Sequence, residues 1–143
     1  MNRPELVIDA SVVVKWLVPE TDDEFALRLQ DQFREGDVRL LAPPLLLLEV
    51  GNALWKRVRR GELTSEAAEL CFDQLIIDAP ELLEKTEVTI SALHLALAHK
   101  RPIYDCLYLA LALDRRCDLI TADERFFVAM SPAYSCVRLL RDL

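Results

Sequence analysis

The sequence predicts an α/β fold built on a small, mainly parallel sheet. Two observations lead there. Short apolar runs rich in β-branched residues or leucine recur along the chain, as "ELVIDAS", "VRLLAP", "DLIT" and "CVRLL", each too brief for a helix. Between them lie longer segments with apolar residues at helical spacing. That alternation favours strands joined by helical crossovers, and hence a parallel sheet. In such sheets functional groups gather beyond the carboxyl ends of the strands, near the point where strand order reverses.

Taken in order, "ELVIDAS" predicts a buried strand near Leu6–Asp9, and "SVVVKWLVPE" a short helix stopped near Pro19. "TDDEFALRLQDQFREG" opens with acids, repeats apolar residues at Phe25, Leu29 and Phe33 and stops at Gly36, the pattern of a capped amphipathic helix. "VRLLAP" is a second strand. "PPLLLLEVGNALWKRVRRG" reads as a long helix with proline in its first turn and Gly61 at its end. "TSEAAELCFDQLIID" follows, with Thr64 and Ser65 as N-cap candidates. The pattern weakens after Pro80 until "TISALHLALAHKR", a further helix. Another helix starts at Tyr104, then a strand around Leu119–Thr121 runs into a helix, and "CVRLL" is a last strand.

The chain has 143 residues, 52% of them hydrophobic and 29% charged, which suits one globular domain spanning 1–143 with a core of its own. No apolar run approaches the roughly 20 residues of a membrane span. Asp9 comes too early in "MNRPELVIDASVVVKW" for a signal peptide, so a cytoplasmic location is expected. Cys71, Cys106, Cys117 and Cys136 form no CxxC pair and are expected as reduced, buried small hydrophobes. Neither His94 nor His99 has zinc-ligand spacing to a cysteine, and His94 is expected to pack within its helix. A net charge of −7 argues against a general nucleic-acid coat protein. It leaves room for an enzyme that grips a phosphodiester through metal ions and a local basic patch. Three glycines, at 36, 51 and 61, exclude a Gly-rich phosphate loop.

Four acids stand at the heads of apolar elements. Asp9 ends the first strand, where it is either functional or an N-cap. Asp123 follows "LIT" in the same way, and there Thr121 and Glu124 also fit a T-x-x-E capping box. Asp105 opens the leucine- and alanine-rich helix "YDCLYLALAL". Glu49 follows four leucines, and Asn52 and Lys56 share its helical face. Two carboxylates ~5 Å apart repel by about 3 kcal/mol at an effective dielectric near 20, and four acids would make six such pairs. A convergent cluster must therefore take up protons or a cation. Oxygen-only ligands select Mg²⁺, or Mn²⁺ in its place, and such a site suits phosphoryl hydrolysis. Ser11 and Thr121 lie two residues from Asp9 and Asp123, placed either to orient a water or a ligand carboxylate or to cap locally.

The ordered set "VIDASV", "LLLEVGNAL", "IYDCLYLALA" and "DLITADERF" resembles a PIN domain, and more narrowly the VapC-type ribonuclease toxins of type II toxin–antitoxin pairs. The resemblance covers nearly the whole chain and is weakest from Gly61 to Glu87. It implies a PIN-like three-layer fold, a small parallel sheet flanked by helices, and a Mg²⁺-dependent endoribonuclease site. By motif the family's acids fall on Asp9, Glu49, Asp105 and Asp123, with Asp9 and Asp105 as core metal ligands and the other two bound directly or through water. Ser11, Thr121 and Asn52 would support them. The resemblance also implies a small antitoxin partner that wraps and blocks the site, and a toxin homodimer or a toxin–antitoxin hetero-oligomer.

For RNA the sequence offers "WKRVRRG", with Lys56, Arg57 and Arg60 at the far end of the Glu49 helix. Lys56 lies ~10 Å along the axis from Glu49, within reach of a neighbouring phosphate, although cations at a helix C-terminus also complement its dipole. Two other readings compete. A catalytically silent PIN-like binding module would lack a metal site. An aspartate-based phosphatase of the haloacid-dehalogenase kind would need a second Asp where this chain has Ser11.

Overall fold

The computed structural model describes residues 3–143. Five parallel strands form one sheet in the order β3-β2-β1-β4-β5. They are β1 (Glu5–Ile8), β2 (Arg39–Ala42), β3 (Glu81–Leu82), β4 (Asp118–Thr121) and β5 (Val137–Leu139). Helices α1 (Ala10–Leu17) and α2 (Asp23–Arg34) connect β1 to β2, and α3 (Leu45–Arg59) and α4 (Ser65–Ile77) connect β2 to β3. Helices α5 (Thr86–His99) and α6 (Ile103–Arg115) then cross to β4, and α7 (Glu124–Met130) leads to β5. The first two crossovers step one way along the sheet and the last two step the other way, so right-handed connections put them on opposite faces. The result is the three-layer α/β arrangement the sequence predicts.

Strand order reverses between β1 and β4, whose residues pair in register from Leu6 with Asp118 to Ile8 with Ile120. Their carboxyl-terminal halves are fully covered, with Val7, Ile8, Leu119 and Ile120 at 0% exposure. Apolar residues side by side along a strand are what a sheet buried on both faces requires. Helix α6 lies against β1 and β4, and α5 packs along α6. This explains the oily composition of α6: Cys106 and Tyr108 through Ala112 are all buried. The ends of the helices follow their sequence signals. Thr64 accepts a hydrogen bond from the Ala67 amide at 3.1 Å as the N-cap of α4. Gly36 and Gly61 take positive φ beyond α2 and α3.

Four expectations need correction. Strand β3 was not foreseen, because two residues beside Pro80 on a sheet edge carry no run to recognise. Helix α5 begins at Thr86, four residues before the isoleucine of the predicted segment becomes periodic. His94 is exposed on α5 rather than packed within it. The four cysteines are free as expected, but only Cys106 is fully buried. No helix among the described residues is long and apolar enough to cross a membrane.

Candidate active site

The acids meet where strand order reverses. Asp9 follows β1 as the N-cap of α1, and Asp123 follows β4 as the N-cap of α7. Asp105 sits in the first turn of α6. These three carboxylates line one narrow cleft, together with Tyr108, Leu119 and Phe126. Glu49 joins from α3 by way of Tyr108, whose hydroxyl donates to its Oε1 at 2.5 Å. Three segments distant in sequence thus aim aspartates at the carboxyl edge of β1 and β4, and a fourth supplies Glu49 behind Tyr108.

Asp9 is the most tightly held of them. Its Oδ1 accepts from both the Ser11 amide, at 3.1 Å, and the Ser11 hydroxyl. Its Oδ2 accepts from the Thr121 hydroxyl at 2.5 Å. Ser11 Oγ also accepts from the Ala122 amide at 2.9 Å, and Thr121 Oγ1 from the Asp123 amide at 3.1 Å. The two hydroxyls therefore tie the end of β1 to the end of β4. The capping box suggested by Thr121 and Glu124 does not form. Asp123 itself caps α7, accepting from the Phe126 amide at 3.1 Å, while Thr121 remains in its strand.

The electrostatics follow from this crowding. Burial pushes the Asp9 carboxyl up to about 6, against hydrogen bonds from Ser11, Thr121 and Val12 that favour its ionised form, and Asp123 adds repulsion. Burial also raises Glu49, opposed by the Tyr108 bond and assisted by Asp105. Asp105 is raised chiefly by burial, with Arg101 pulling it down and Asp123 pushing it up. Tyr108 is driven far above its ordinary range by burial and by its bond to Glu49, so it remains a donor. Asp9, Glu49 and Asp105 thus each carry more proton affinity than an isolated carboxylate.

The donor set suits a hard cation. No histidine or cysteine sulfur lines the cleft, whose polar wall is aspartate and tyrosine oxygen. A carboxylate has about four lone-pair sites. On Asp9, Oδ1 already accepts twice from Ser11, whereas Oδ2 accepts only from the Thr121 hydroxyl among the described side chains. Asp105 makes no hydrogen bond among the described residues and keeps both oxygens available. At the same time, no three of the described acids, histidines or cysteines already close on a common point as a metal-ligand group. The cleft therefore fits an ion that keeps much of its water and takes one or two carboxylates directly, the habit of Mg²⁺.

The supporting residues divide. Ser11 and Thr121 touch Asp9 as described. Asn52 is exposed and makes no side-chain hydrogen bond among the described residues, so it does not brace Glu49. Of the basic cluster, Arg57 is engaged by Glu20 and lies 3.8 Å from Glu62, which removes it as a free cation. Arg59 stacks over Trp55 at 5.1 Å. Lys56 and Arg60 stay exposed. Two residues at the cleft escaped the sequence reading. Tyr108 is masked by the apolar run around it, although its i+3 spacing from Asp105 placed it on the same face. Arg101 is four residues before Asp105 and pairs with it at 3.7 Å.

Comparison with known proteins agrees with this architecture. The PIN domain family matches residues 6–130. Ribonuclease VapC3 of Pyrobaculum aerophilum is 35% identical over 134 residues, covering 90% of this chain and 99% of that protein. Among solved structures, a Pyrobaculum aerophilum protein superposes with a TM-score of 0.72 at 20% identity, over 99% of this chain and 94% of its own. VapBC-1 of nontypeable Haemophilus influenzae gives 0.65 at 16% identity, over 96% and 98%. The two structures share the fold with this chain, and the family and sequence matches go further: the chain belongs to the PIN-domain family, in its VapC ribonuclease branch.

Proposed function

We propose that this chain is a Mg²⁺-dependent endoribonuclease that acts as the toxin of a toxin–antitoxin pair. The observation that carries the reading is the placement of Asp9, Asp105 and Asp123 along one cleft at the strand-order reversal. Asp9 and Asp105 would hold the ion, and Asp123 and Glu49 would complete its surroundings directly or through water. A bound Mg²⁺, with Mn²⁺ able to substitute, would supply an activated water and charge stabilisation at the phosphodiester. The protein's part is positioning. Ser11 and Thr121 fix Asp9, and the buried length of α6 fixes Asp105. Tyr108 keeps Glu49 from turning away.

Ribonuclease VapC3 supports RNA as the substrate, and the likeness to VapBC-1 supports a small antitoxin as partner. Exposed apolar residues on α5, Ile90, Leu93 and Leu97, support assembly as a homodimer or a toxin–antitoxin hetero-oligomer. Lys56 and Arg60 are the members of the basic cluster left to meet flanking phosphates. The test is cleavage of total RNA by purified protein in Mg²⁺ and in EDTA, alongside Asp9→Asn and Asp105→Asn. Wild type is expected to cut only with metal, and both folded variants to lose at least ~100-fold, the scale of removing one electrostatic catalytic group. Full metal-dependent cleavage by both variants would contradict the assignment.

A further inference from the structure

We infer that Arg101 is the RNA-phosphate anchor of the acidic cleft. The inference rests on the nuclease reading above and names a substrate contact that the acids themselves cannot make.

The first observation is an unused guanidinium. The Arg101 side chain is only 24% exposed, yet its Nε is buried without a hydrogen-bond partner, the only such side-chain atom among the described residues. Among the described residues none of its five N–H donors finds an acceptor at hydrogen-bond distance, and the nearest charge is Asp105 Oδ2, 3.7 Å from one terminal nitrogen. The other arginines near strand ends behave differently. Arg115 grips Glu5 with two hydrogen bonds, at 2.6 and 3.1 Å, and Arg39 bonds both Glu5 and Glu81. A largely buried cation without such partners is costly unless something else completes it.

The second observation is its setting. The guanidinium carbon lies 5.4 Å from the centre of the Phe126 ring, and Phe126 lines the cleft beside Asp105 and Asp123. The backbone there is pinned. Lys100 takes the left-handed conformation that ends α5, the Arg101 amide bonds to the Ala96 carbonyl at 3.1 Å, and Pro102 fixes the next φ. Stacking on an aromatic face with a fixed backbone is how a guanidinium is preorganised for bidentate phosphate binding. The third is charge. A cleft walled by carboxylates repels a polyanion, and Arg101, beside the lining residues Asp105 and Phe126, is a cation placed to offset them.

The test is RNA affinity as a function of salt, with thermal melts to verify folding. A short fluorescein-labelled single-stranded RNA is titrated in EDTA with wild type, Arg101→Met and Arg101→Lys, and wild-type cleavage is measured separately in Mg²⁺. Methionine keeps an apolar stem against Phe126 without the charge; Arg101→Gln replaces it if that variant does not fold. Arg101→Met is expected to bind about ten-fold more weakly at low salt. Its slope of log affinity against log salt should shrink by roughly 0.7, the value of one phosphate contact on a single strand. Arg101→Lys should restore the slope but not the full affinity. An unchanged slope in Arg101→Met, or a loss that Arg101→Lys does not restore, overturns the inference, and would leave Arg101 as a positioning residue for Asp105. If wild type neither binds nor cleaves RNA, the nuclease reading itself falls, and this inference with it.

Discussion

At the scale of single residues, Asp9 shows how one carboxyl serves folding and chemistry at once. It caps α1, accepts two hydroxyls and still faces the cleft. With its pKa raised from 3.8 to about 6, the folded chain holds a proton between those values that the unfolded chain releases. The stabilisation from that proton is complete below 3.8 and is lost as pH rises through about 6, a change of roughly 3 kcal/mol. Glu49 and Asp105 are raised too, and act in the same direction. Metal-free wild type should therefore lose stability from about pH 4 to pH 7 relative to Asp9→Asn, in melts compared across that range. A constant difference between the two would contradict the burial of Asp9. Tyr108→Phe removes the donor to Glu49 and should cost about 1–2 kcal/mol in denaturant unfolding while slowing cleavage.

The same scale shows where sequence patterns mislead. Thr121 and Glu124 fit a capping box by spacing, but the cap went to Asp123 because Thr121 is held in β4 by Asp9. Asn52 shares a helical face with Glu49 and Arg57 belongs to the basic cluster, yet Asn52 turns to solvent and Arg57 to Glu20. Side-chain partners 37 residues apart leave no trace in local spacing.

At the scale of elements, α6 is the post that carries Asp105. Its apolar length is legible in sequence because a helix buried on nearly all sides has no polar stripe. Leu109 is at 0% exposure in its middle. Leu109→Ala should cost about 2–5 kcal/mol by opening a cavity and should also reduce cleavage well below the melting temperature, since the post would no longer fix the carboxylate. Normal cleavage with the expected destabilisation would show that Asp105 needs no rigid support. Helix α3 makes a second case. Gly51 lets Phe72 of α4 come within 3.4 Å of where a Cβ would stand, so an alanine there would meet that ring at the edge of ordinary van der Waals contact. Charge reversal of Lys56 and Arg60 at the end of α3 should weaken RNA binding and flatten its salt dependence without changing the melting temperature. The element missed in the sequence, β3, is the one whose identity comes only from pairing with β2.

At the scale of the whole molecule, the parallel sheet and its reversal between β1 and β4 explain why Asp9, Asp105 and Asp123, from three sequence regions, line one cleft, with Glu49 joined to it through Tyr108. The alternation of short apolar runs and helices made the fold class legible, and ordered motifs made the acids legible as a set. Tyr108 and Arg101 were hidden because nothing local distinguishes a buried tyrosine in an apolar run, or an arginine before a proline, from ordinary packing and solvation. The central claim is that the acids together take up a divalent ion. Its most direct test is calorimetric titration of Mn²⁺ into wild type, Asp9→Asn and Asp105→Asn, in buffers of different ionisation heat. A saturable site in wild type is predicted, weakened in both variants, with proton release near pH 5.5 that disappears near pH 8 as Asp9 gives up its proton. Absence of a saturable site in wild type, or equal binding by Asp9→Asn and Asp105→Asn, would contradict it.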